Sequence, residues 1–177
     1  TLRNCTIGAR ATSRSLDFYG SSSPEARRFG GGKPDQIVLD RCTVTEQATP
    51  ILFDDADSFF GKARLVGCTV RGQGPLVRLE SVAGDLEFDA CRFETTGTTP
   101  SPISLANSFR VANLLLNGCE IVAPGASLAV WIHGVFPGSV RLTNNRLTAL
   151  GSEAPRFVRS EGRVRLVESG NTVNGTR

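Results

Sequence analysis

One short pattern recurs down this chain and limits what the chain can fold into. Cys5, Cys42, Cys68, Cys91 and Cys119 sit in NCTI, RCTV, GCTV, ACRF and GCEI. Each is followed two residues later by Ile, Val or Phe. Each is preceded at three residues by Leu2, Leu39, Leu65, Phe88 or Leu116. Asn145 in NNRL, with Leu142 before it, and Asn171 in GNTV continue the series. The spacings are 37, 26, 23, 28, 26 and 26 residues. A fixed period of this size is the mark of a repeat architecture, in which each unit is one supersecondary element.

The stretch Asn113–Gly138 shows one whole unit. An apolar run at Leu114–Leu116 meets a kink at Asn117–Gly118, then Cys119 and Ile121. A loop at Ala123–Gly125 leads to a second run, Leu128–Ile132, and Gly134–Gly138 forms the closing corner. The other units carry matching second runs at Leu16–Tyr19, Ile51–Asp54, Leu76–Glu80, Ile103–Ala106 and Phe157–Arg159. About seven units follow, beginning near Thr1, Asp35, Lys62, Asp85, Asn113, Ser139 and Arg163, the last incomplete. The long first spacing is explained by an inserted loop at about 21–34. No segment holds helix-period apolar positions over ten or more residues; Ser22–Phe29 comes nearest and is broken by Pro24. Two or three short strands per unit cannot bury a face alone, whereas stacked units can.

In such a stack equivalent residues lie about 4.8 Å apart, so the Cys and Asn positions form an interior ladder. Neighbouring Cβ vectors then point the same way, which disfavours a disulfide between successive cysteines. The expectation is free, buried thiols acting as small hydrophobes. The pattern has no Cys-x-x-Cys spacing, and the single histidine, His133, falls on another face. No metal site and no cofactor are therefore expected. Buried thiols are tolerated in any compartment and do not fix localisation; an extracytoplasmic or cell-surface setting is the expectation. The net charge of +3 is too small to argue for nucleic acid, and no apolar run reaches the ~20 residues of a membrane span. The chain opens in what reads as mid-strand, so a piece of a longer polypeptide is expected, with residues 1–177 as one domain.

The period and corner chemistry resemble those of the right-handed parallel β-helix, or pectate-lyase-like, superfamily, over nearly the whole chain. The resemblance implies an all-β, single-stranded right-handed solenoid. The polygalacturonases of that superfamily carry Asp-Asp, Gly-His-Gly, Asn-Thr-Asp and Arg-Ile-Lys sets. Here Asp54–Asp55 and Ile132–His133–Gly134 match only fragments, three units apart, about 14 Å. No calcium-type Asp cluster is apparent.

Aligning the second runs gives an outward column of Asp17, Leu52, Arg78, Ser104, Trp131 and Val158. A second column holds Tyr19, Asp54, Glu80, Ala106, His133 and Ser160. Asp54 and Glu80 would lie on successive units, about 5 Å apart, the separation of a retaining glycosidase pair. Tyr19 and Trp131 would stack on sugar rings, Arg78 would hold a uronate, and His133 would line the same face. A further outward stripe, Val38, Arg64, Glu87, Leu115, Arg141 and Arg165, makes the last units somewhat basic. The expected function is a non-catalytic scaffold or interaction region, including carbohydrate recognition, of a larger bacterial protein. The alternative is a polysaccharide-degrading lyase, hydrolase or tailspike-like depolymerase acting through Asp54 and Glu80. Exposed end strands also make self-association through the coil ends an expectation.

Overall fold

A computed structural model describes residues 1–8, 16–19, 36–45, 49–54, 59–79, 83–106, 110–133, 138–149 and 154–174, with side chains omitted for some of these. The inserted loop at 21–34, Asp55 and Glu80 lie outside the described residues. The described chain is entirely β and wound as a parallel solenoid, and each full coil contributes three strands.

The first sheet stacks β1 (Leu2–Arg3), β4 (Gln36–Asp40), β7 (Phe59–Val66), β10 (Ala83–Asp89), β13 (Arg110–Asn117), β16 (Ser139–Thr143) and β19 (Arg165–Ser169). The second stacks β2 (Thr6–Gly8), β5 (Thr43–Thr45), β8 (Thr69–Gly72), β11 (Arg92–Thr95), β14 (Glu120–Ala123), β17 (Arg146–Ala149) and β20 (Thr172–Asn174). The third holds six strands: β3 (Leu16–Tyr19), β6 (Ile51–Asp54), β9 (Val77–Leu79), β12 (Ile103–Ala106), β15 (Leu128–His133) and β18 (Arg156–Ser160).

Every strand pair is parallel, and the register keeps like under like. Leu39, Leu65, Phe88, Leu116 and Leu142 lie in successive coils of one interior column. Val44, Val70, Phe93, Ile121 and Leu147 form another. All ten side chains are at most 1% exposed. Burying each of the larger ones contributes about 1.5–3 kcal/mol relative to exposure. Phe88 and Phe93 meet edge to face at 5.3 Å across the corner of the fourth coil. Strands rich in Val, Ile and Thr suit this pleated, one-face-buried surface.

The corner between the first two sheets is built the same way seven times. Asn4, Arg41, Gly67, Ala90, Gly118, Asn144 and Gly170 all have positive φ, between 50° and 66°. Each immediately precedes a ladder residue. The left-handed residue reverses the chain while its N–H still reaches the next coil: Ala90 N–H donates to Asn117 O at 2.8 Å, and Gly118 N–H to Thr143 O at 2.9 Å.

The ladder residue then turns inward. Cys68, Cys91 and Cys119 Sγ each lie 3.3 Å from the carbonyl of Leu39, Leu65 and Phe88 in the preceding coil. Asn145 and Asn171 Nδ2 donate at 3.0 Å to Leu116 and Leu142 O, the same site one and two coils on. The cysteines are free, and Cys42, Cys68, Cys91 and Cys119 are buried, as the ladder requires. Burial pushes the Cys42 thiol up from its ordinary pKa, which keeps it protonated and unreactive. Cys5, at the open end of the ladder, is only half-buried.

The last coil departs from the alignment read off the sequence. Leu166 pairs with Val140, and Glu168 takes the interior register opposite Leu142. Val167, and not Arg165, therefore continues the outward column through Arg141; Arg165 lies beside Ser139. All residues of β19 and β20 are exposed.

Candidate functional site

The outward face of the third sheet carries the side chains with the most chemistry. The register places Arg78, Ser104 and Trp131 side by side on β9, β12 and β15. Arg159 on β18 follows next to Trp131. The expected terminal member, Val158, instead sits opposite Val130 and packs against the core. The chain alternates from that point, so Arg159 is the residue turned out. The same one-residue shift applies to the neighbouring column. Ser160 pairs with Ile132, and it is Glu161 whose carboxylate reaches His133.

Four of these side chains form one cluster. The His133 ring stacks on Trp131 with centroids 4.2 Å apart and planes inclined by 30°. The Arg159 guanidinium carbon lies 5.4 Å from the Trp131 ring centroid, within cation–π range. Glu161 Oε1 is 3.3 Å from His133 Nδ1. Trp131 is thus held from the side by its strand neighbour and its coil neighbour. Arg78 is two strand spacings away, about 10 Å, with Ser104 between.

The side chains of the expected carboxylate pair lie outside the described residues. Asp54 lies on β6, paired with Tyr19 on β3, but the side chains of both fall outside the described residues, as does Glu80 altogether. Tyr19 is at least four coils from Trp131, because β3, β6, β9, β12 and β15 are successive strands. One sugar cannot touch both; a chain of several would be needed. Among the described residues no three His, Cys, Asp or Glu side chains converge as metal ligands.

The other two faces are dominated by ion pairs between and within coils. On the first sheet Lys62 and Arg64 both pair with Glu87, Arg64 also reaches Asp89 at 3.3 Å, and Arg3 and Arg41 flank Asp40. On the second, Arg71 and Arg92 share Glu94, and Arg92 also pairs with Glu120. Amides join the same network: Asn113 donates to Asp85 and Asn117 to Asp89, both at 2.9 Å. The charges of these middle coils serve one another. Arg159 and Glu161 are the site residues that sequence reasoning missed. The cue available was the excess of Arg after residue 138, but placing Arg159 required the register.

Comparison with known proteins adds no relative: no protein-family model, no curated protein and no solved structure matches the chain significantly.

Proposed function

We propose that this chain is a non-catalytic solenoid rod that holds a recognition surface in a larger protein. The observation that carries the reading is the unbroken side-chain ladder. From Cys42 to Asn171 a polar side chain in every coil bonds the backbone of the coil before it. Such a stack fixes each coil against its neighbours and suits a spacer. We take it to wind right-handed and to be akin to the pectate-lyase-like solenoids, in a bacterial protein. The carbohydrate-recognition form of the reading is favoured by one feature, the Arg78–Ser104–Trp131–Arg159 column, which offers guanidinium, hydroxyl and indole groups at coil spacing. Self-association through unpaired strand edges is a further part of this reading.

The test is incubation of the purified protein with acidic and neutral polysaccharides, assayed both for binding and for new chain ends. The expected result is no cleavage, with Asp54→Asn and Glu80→Gln indistinguishable from the parent. New reducing or unsaturated ends that vanish in either variant would replace the scaffold with the depolymerase.

A further inference from the structure

Four free, buried thiols stand in successive coils of the interior. Cys42, Cys68, Cys91 and Cys119 each sit one residue before the paired positions Thr43, Thr69, Arg92 and Glu120. Backbone bonds hold their spacing: the carbonyls of Cys42, Cys68 and Cys91 each accept from the residue after the next cysteine, at 2.8–2.9 Å. The sulfurs occupy the same place in each coil. Cys68, Cys91 and Cys119 Sγ lie 3.3 Å from the carbonyls of Leu39, Leu65 and Phe88, and 3.4–3.5 Å from those of Val66, Asp89 and Asn117. Cys42 Sγ stands in nearly the same relation to Leu2 and Asp40, at 3.6 and 3.5 Å. Equal placement makes the step from sulfur to sulfur equal to the coil spacing, about 4.8 Å. That step is far too long for a disulfide. It matches two metal–thiolate bonds of about 2.3 Å laid end to end.

Two features choose the ion. A column offers only two sulfurs to any one point, and among the described residues no three His, Cys, Asp or Glu side chains converge. This excludes the four-ligand tetrahedron that zinc takes in structural sites. It selects a soft ion that binds two thiolates in line. The surroundings then fix the charge. Leu65, Val70, Phe88 and Phe93 around the column are fully buried, and a net charge placed among them is costly. A divalent ion with two thiolates is neutral; a monovalent ion with two thiolates is not.

We propose that the thiol column binds a soft divalent cation of the mercuric type, each ion bridging cysteines of successive coils. One divalent ion and two thiols give a neutral bis-thiolate and two protons, which leave to solvent; two S–H bonds break, two sulfur–metal bonds form, and no electrons are transferred. The four buried thiols make two such bridges, Cys42–Cys68 and Cys91–Cys119. The column stops at Asn145, whose amide takes the next slot. Loading waits on transient opening of a coil and is slow. A loaded bridge ties coil to coil and stabilises the stack by binding only the folded arrangement. The site shares no residue with the Arg78–Trp131 column, so either can fail alone.

The experiment loads the reduced whole chain with mercuric chloride, strips singly held ions with excess free cysteine, and counts the ions held by the chain alone in native mass spectrometry. The parent and Cys5→Ala should retain two ions and Cys91→Ala one. Zinc chloride in place of mercuric chloride should leave none. X-ray absorption of the loaded parent, which depends on no variant, should show two sulfurs at about 2.3 Å and no chloride. Loading should also raise the melting temperature. One sulfur with a chloride or a free cysteine on each ion, loss of the strand signal in circular dichroism on loading, or equal retention by Cys91→Ala and Cys5→Ala would overturn the proposal.

Discussion

The ladder has a thiol stretch and an amide stretch, and the two solve one problem differently. In the thiol stretch, Cys68, Cys91 and Cys119 Sγ meet a carbonyl of the preceding coil at 3.3 Å, and Cys42 N–H donates to Cys68 Sγ at 3.4 Å. These are weak sulfur contacts. In the amide stretch Cys119 N–H donates to Asn145 Oδ1 and Asn145 N–H to Asn171 Oδ1, both at 2.9 Å, while the two amides bond each other at 3.0 Å. The backbone slot is the same; only the strength of the bonding changes. The change does not follow burial: around Asn145, Val140, Leu142, Leu147 and Ala149 are 0% exposed, as closely buried as the residues around the thiols. A small polarizable side chain and an amide thus serve the same buried slot, the amide with the stronger bonds.

The largest effect that would break this comparison comes from placing charge in the thiol stretch. Cys91→Asp puts a carboxylate against Leu65 O, with no cation in the slot. We expect a loss of about 3–5 kcal/mol or more, seen as unfolding of several coils in thermal denaturation followed by circular dichroism. Cys91→Asn has nearly the same shape and should cost about 1 kcal/mol or less, since its amide can donate to Leu65 O as Asn145 does to Leu116 O. Normal melting of the Asp variant would refute an interior ladder at this position.

A smaller effect sharpens the contrast between the two stretches. Asn145→Ala strands Cys119 N–H and Leu116 O, both partnered by the amide. Each orphaned buried group costs about 1–3 kcal/mol, so a loss of about 2–6 kcal/mol is expected. Cys68→Ala gives up only sulfur contacts and a small volume, about 1 kcal/mol. Urea denaturation of the two variants measures the difference; equal losses would mean that the amides add nothing beyond what the thiols supply.

How much of this was legible depends on the scale of the feature. The coil, its period and the inward Cys and Asn positions follow from spacing, because a solenoid repeats its geometry as often as its sequence. The hydrogen bonds of the thiols to carbonyls three residues before the previous ladder position do not follow, since they depend on the corner's backbone. The last coil was misread because its apolar residues do not sit at the usual offset: Glu168 occupies the position that Leu142 holds a coil earlier. That single displacement moved Arg165 out of its expected column, and a similar one exchanged Val158 for Arg159. Tyr19, Arg78, Trp131 and His133 share the third sheet, as expected. What the sequence did not reveal is that Trp131 and His133 are stacked on each other, because neither period nor alternation specifies ring orientation.

The smallest predicted effect tests the corner that both stretches share. Ala90 and Gly118 occupy equivalent left-handed positions, at φ 51° and 60°, one before each of two thiols. A Cβ added at Gly118 would meet nothing within 4 Å, so Gly118→Ala changes the backbone term alone. Left-handed strain of about 1–2 kcal/mol is partly offset by the lower entropy of the unfolded chain, about 0.4–1 kcal/mol. Gly118→Ala should therefore destabilise by about 0.5–1 kcal/mol, and Ala90→Gly should stabilise by a similar amount. Urea midpoints for the two variants and for the double variant, whose shifts should nearly cancel, make the measurement. Shifts of the same sign would mean that the two corners are not equivalent, and that side-chain contacts at Ala90 outweigh the backbone cost it carries.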